Sequence, residues 1–154
     1  MSASLKWCTK NGMSLIPPND DLSEEHYRSS EQTLRIAHVT SQHDSNMWLA
    51  AQKYYLEYLA AISILTKIGI KSKKHVCTVR AIRMLETQKI IDFPFSKILE
   101  KDRRVRINNQ YRLKNEPVEF DIDEMSRFLQ DIKAILKKIS REEIEMVRNI
   151  IKGL

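Results

Sequence analysis

Glycine is scarce in this chain, at three residues in 154, and aromatic residues make up only 7%. A protein built from strands and tight turns needs more of both, so an all-helical fold is favoured. No apolar stretch approaches the roughly 18 residues of a membrane span. No charged-then-apolar leader opens the sequence either, which points to a cytoplasmic protein. There are two cysteines, Cys8 and Cys77, at no metal-binding spacing. With so much helix available for a core they need no cross-link, and both are expected as free thiols. No metal and no cofactor is expected.

Charge is abundant but uneven. Residues 67–114 carry 14 basic and 4 acidic side chains, against 5 and 7 in residues 1–66 and 7 and 9 in residues 115–154. The net charge of +6 therefore comes from the middle third, and a local basic block attracts phosphates. A length of 154 residues suits one domain.

Residues 1–20 read as an arm packing on residues 21–154. Pro17-Pro18 favours an extended path there, while Leu5, Trp7, Leu15 and Ile16 supply apolar contacts. Asn19, Asp20, Asp21 and Ser23 offer N-caps for a first helix over about 22–40. The strongest periodic signal follows: Trp48, Ala51, Tyr55, Ile62, Leu65 and Ile68 mark a central core helix, and Gly69-Ile70 a C-terminal stop. Its tyrosines, Tyr54, Tyr55 and Tyr58, are core-filling residues or base-stacking ones. Ser72 caps a third predicted helix running to about Ile91. A fourth spans Lys97 to Lys114, with Ser96 as its cap. Asp121 opens a fifth with a heptad-like seam through Leu129, Ile132, Leu136 and Ile139. Ser140 and Glu143 form a second capping box, giving a kink or a fresh helix to the end. The expected architecture is an up-and-down bundle of about five main helices.

The fourth predicted helix concentrates the candidate chemistry. Arg103, Arg106 and Gln110 share one face, with Asn109 beside them. Asp102 lies on the apolar stripe between Ile98 and Val105. A charge there demands a partner, and Arg106, four residues on, is in reach. Candidate ligand-binding residues are Asp102, Arg103, Arg106, Asn109, Gln110 and Tyr111. The plainer alternative is a wet outer face of i, i+4 ion pairs.

Taken in order, Leu15, Pro18, Asn19 and Leu22, then Trp48, Tyr54-Tyr55 and Tyr58, the turn Ile68-Gly69-Ile70-Lys71, then His75, Cys77 and Thr78, and finally Arg106, Asn109, Gln110 and Tyr111 resemble the HEPN domain family. The likeness is greatest to an archaeal branch of that family. It implies a small helical bundle acting as a homodimer, with paired polar motifs meeting in a cleft. It implies further a toxin–antitoxin or defence role, and for some members a nucleotidyltransferase partner. Many HEPN proteins are metal-independent RNases with an Arg followed four to six residues later by a His. Arg106 stands as the motif Arg; Tyr111, not His, occupies the shortest-spaced position. The expectation is therefore a noncatalytic module binding a nucleotide or RNA phosphate. The alternatives are an RNase using Arg106 and Tyr111, and an interaction protein docking an acidic partner through the fourth helix.

Overall fold

In the computed structural model, which describes residues 4–154, the helix Asn46–Ile68 (α3) runs through the middle of the molecule, and the other elements pack around it. Its hydrophobic residues face several neighbours at once, so Leu56, Ala60, Ile64, Leu65 and Ile68 are all fully buried. Burying a leucine such as Leu65 stabilises the fold by about 2 kcal/mol. Ser45 caps the helix by accepting from the Trp48 N–H. Gly69 ends it in the left-handed region (φ 92°), its N–H donating to the carbonyls of Leu65 and Thr66.

The long helix Asp20–Ser41 (α2), capped by Asn19, lies along α3 and buries Tyr27, Leu34 and Ala37. His75–Thr87 (α4), Phe95–Gln110 (α5) and Ile122–Lys138 (α6) complete the bundle. Phe93, Phe95 and Phe128 seat α6 on the entry to α5, with the Phe95 and Phe128 rings edge to face at 5.2 Å. The terminal helix Arg141–Lys152 (α7) starts afresh at Ser140, whose capping box with Glu143 is fully formed. It closes the bundle with Val147 and Ile151, and Arg148 Nη1 donates to the carbonyls of Ile16, Ile68 and Gly69. The fold is thus the all-helical bundle expected, with five longer helices and the shorter α7 and Leu5–Asn11 (α1). No helix among the described residues is long and apolar enough to cross a membrane.

Several local expectations are corrected. Residues 1–3 lie outside the described residues, but the rest of the arm is not simply extended. Leu5–Asn11 forms α1, capped by Ser4, and Met13–Leu15 (β1) pairs antiparallel with Ile70–Ser72 (β2), Met13 opposite Ser72. Ser72 is consequently a strand residue, and α4 starts only at His75 with no side-chain cap. It stops at Thr87 rather than Ile91, the chain turning at Lys89 with φ 61°. α5 begins one residue before Ser96, whose N–H and hydroxyl both donate to the Glu86 carboxylate. It ends at Gln110, because the chain leaves helical geometry through Leu113 and Asn115, both at positive φ.

The largest correction concerns the cysteines. Cys8 and Cys77 are not free thiols but a disulfide, Cα to Cα 5.5 Å, tying α1 to the first turn of α4 across 69 residues of sequence. Pairing of β1 with β2 brings the two chain segments together, and both sulfur-bearing residues are wholly buried.

Candidate functional site

Three helices converge where α5 crosses α3 near the start of α4. α3 and α5 run antiparallel, so Glu57 meets Asp102 and Tyr54 meets Arg106 one turn along. Arg106 lies over the Tyr54 ring at 5.5 Å and the Tyr111 ring at 5.9 Å, and its Nε donates to Gln110 Oε1 at 2.9 Å. Such cation–π contacts orient the guanidinium without neutralising it. Neither Arg103 nor Arg106 makes an ion pair among the described residues.

Tyr54 is buried, and its hydroxyl is hydrogen-bonded to His75 Nδ1, the imidazole being the first residue of α4. The Tyr58 ring stacks on the same imidazole at 6.5 Å. Burial pushes His75 down to about 4, with the nearby charges of Arg103 and Arg106 adding to the shift. Burial likewise raises the Tyr54 hydroxyl well above its ordinary 10; Tyr58 adds to this, while the two arginines oppose it. Both partners are therefore neutral near pH 7. The phenol is the stronger acid and the imidazole nitrogen the stronger base, so Tyr54 O–H donates to Nδ1 and the hydrogen of His75 sits on Nε2.

The structure separates the candidate residues. Arg103, Arg106, Gln110 and Tyr111 belong to this face, and Tyr111 is 66% exposed at its edge. Asp102 does not pair with Arg106. It turns inward to Lys53 Nζ at 3.5 Å and to the Glu57 carboxyl, because α3 places those groups directly across from it. Asn109 is also internal: its Nδ2 donates to the Glu116 carbonyl, holding the loop after α5. Of the three tyrosines, Tyr54 is buried with its hydroxyl satisfied, Tyr58 is half-buried and Tyr55 faces solvent.

His75 was missed as a site residue because spacing alone exposes no relation to Arg106 on a different helix. A local sequence signal for it is the basic run Lys71, Lys73, Lys74 immediately before it. Among the described residues, no cluster of three His, Cys, Asp or Glu side chains is placed to hold a metal. The face as built offers two cations without counter-charge, an imidazole N–H, an amide and accessible aromatic rings. That set suits an anion attached to a planar group. No family model matches the chain, and neither does any curated protein or solved structure.

Proposed function

We propose that this protein is a noncatalytic HEPN-type module that binds the phosphate of RNA or a nucleotide at Arg103 and Arg106, with His75 Nε2–H as a further donor. The observation carrying this reading is the pair of unneutralised guanidiniums facing a neutral, hydrogen-bonded imidazole. Phosphate oxygens accept strongly from such donors, and Tyr111 gives a base a stacking surface. The same geometry argues against cleavage. A general base must take the ribose 2′-hydroxyl proton, and the only lone pair His75 has for that is occupied by the Tyr54 hydrogen.

The module acts as a homodimer in this proposal, a second copy closing the open face. Ile36, Val39, Trp48 and Tyr55, exposed on α2 and α3, supply apolar surface for it. A role in a toxin–antitoxin or defence system, beside a nucleotidyltransferase, belongs to the same reading.

The test is fluorescence anisotropy of a short labelled single-stranded RNA with wild type, Arg103→Ala and Arg106→Ala. Two neutralised phosphates give a log–log salt slope of about −1.4, a loss of about sevenfold between 50 and 200 mM salt. Each alanine should weaken binding and flatten the slope. Parallel incubation of labelled RNA with chelator should show no cleavage above background. Robust cleavage abolished by both Arg106→Ala and Tyr111→Phe establishes the RNase alternative instead. Absence of binding to RNA and nucleotides at low salt leaves the basic helix as a docking surface for an acidic protein.

A further inference from the structure

Beside the Glu57–Asp102 contact, one turn of α5 before Arg106, lies a cavity of about 460 Å³, a size usual for small-molecule sites, and its charge is the reverse of the arginine face. Five carboxylates line it: Glu57 from α3, Asp102 from α5, Glu119 from the loop, and Asp121 and Glu124 from the start of α6. Only Lys53 and Lys101 oppose them. Lys53 is already engaged by Asp102 at 3.5 Å.

Glu57 is the anomaly. It is 1% exposed, and its Oε1 has no hydrogen-bond partner. An ionised carboxylate left so is strongly disfavoured, so burial favours the protonated form of Glu57, whose proton can be shared with Asp102. Burial is the first cause of its raised pKa, with the Asp102 contact and charge second, while Lys53 and Lys101 pull the other way. An unpartnered acceptor this deep, on a side chain that lines the cavity, marks a place for a donor from outside the chain.

We infer that the cavity binds an aliphatic polyamine, one ammonium taken by Glu57 and Asp102 and another by Glu119, Asp121 and Glu124 at the mouth. Three features select this class. The carboxylates are dispersed, and no three of them are grouped to hold a metal ion among the described residues, so the complementary charge must be distributed along a chain. Ile98, Phe120 and Phe128 provide apolar wall for methylenes between the charges. The excess of carboxylate repels phosphates, which keeps this site chemically distinct from the arginine face and independent of the function proposed above.

Arrival of an ammonium transfers the shared proton of Glu57 to solvent and leaves a carboxylate paired with the ligand cation. The groups facing Glu57 are Lys53 on its own helix and Lys101 and Asp102 on α5, with Glu119, Asp121 and Glu124 lining the same cavity from α6 and its approach. Binding therefore strengthens as pH rises through the raised pKa of Glu57.

Isothermal titration calorimetry with spermidine, in two buffers of different ionisation enthalpy, reads affinity and proton release together. The expected result is one saturable site with net proton release. Glu57→Gln should weaken it at least tenfold, as should the double variant Glu119→Gln/Glu124→Gln on the exposed rim, while Arg106→Ala leaves it unchanged. The amide introduced by Glu57→Gln keeps a donor towards Asp102, and the rim variant alters no buried group, so one of the two tests survives if the other protein misfolds. No saturable heat at millimolar spermidine, equal affinity of wild type and both variants, or equal displacement by magnesium at the same charge concentration overturns the assignment. Binding of lysine-containing peptide in preference to spermidine overturns it as well.

Discussion

Breaking the Cys8–Cys77 bridge is the perturbation whose size can be worked out most directly. The bridge closes a loop of 69 residues that contains β1, α2, α3 and β2. Loop-closure entropy for that length, lost by the unfolded chain when the bond is present, amounts to about 4 kcal/mol at 25 °C. Both cysteines are fully buried, so the reduced sulfurs keep their packing, and the loss falls on the unfolded state alone. For a chain of this size each kcal/mol moves the melting temperature by about 2–4 °C, giving a drop of about 8–16 °C on reduction. The assay is urea unfolding followed by circular dichroism on oxidised protein, on protein reduced after unfolding and refolded with reductant, and on Cys8→Ala/Cys77→Ala. The reduced and double-variant proteins should show midpoints lowered together, with a steeper denaturant dependence because the uncrosslinked chain exposes more surface. Identical midpoints with and without reductant, or two titratable thiols in denatured protein never exposed to reductant, would refute the reasoning.

Three further outcomes are expected. The His75 imidazole, followed by NMR, should titrate near 4 in the free protein and move up towards its ordinary 6.5 when a phosphate-bearing ligand binds; by linkage that binding tightens as pH falls, and an unmoved His75 places the ligand elsewhere. Because the folded pKa of His75 lies below the unfolded one, its contribution to stability is present above about 6.5 and lost as pH falls through 4, a slope that His75→Gln should remove from urea midpoints measured across that window. Glu57 has the opposite sign: its folded pKa is raised, so stability is full below the unfolded value of about 4.3 and declines as pH rises, and Glu57→Gln should raise the urea midpoint at pH 8 more than at pH 4.

Where structure follows from neighbours in sequence, the chain could be read directly. Asn19, Asp121 and Ser140 cap the helices they precede, and Gly69 stops α3, because caps and stops depend on a few consecutive residues. The periodic stripe of α6 likewise announced its buried face, whereas on α3 Trp48 and Tyr55, read as core positions, are exposed and the buried face is carried by Leu56, Ala60, Ile64 and Leu65. What escaped depends on pairs far apart in the chain. Strands of three residues, Met13–Leu15 and Ile70–Ser72, have no periodic signal, and without them nothing brings Cys8 to Cys77. The same holds within the site. Asp102 was matched with Arg106 because a helix offers i+4, whereas its partners Lys53 and Glu57 come from the helix packed across it. The arginines were legible as a basic face, but His75 joins them only through the crossing of α3, α4 and α5.

The clamp of Arg148 on the chain reversal at Gly69 bears on how this sequence can diverge. Gly69 is required twice over: its φ is positive, and a methyl group there would run into the Arg148 guanidinium and the Ile16 carbonyl. Arg148 in turn needs the space that only a glycine leaves, 79 positions earlier in the chain. The dependence is one-sided, since the glycine survives loss of the arginine but the arginine cannot keep its place without the glycine. In any set of distant relatives, lineages lacking the arginine should retain the glycine, and none should carry the reverse combination. That asymmetric pairing offers a signature by which kinship can be recognised after overall identity has decayed.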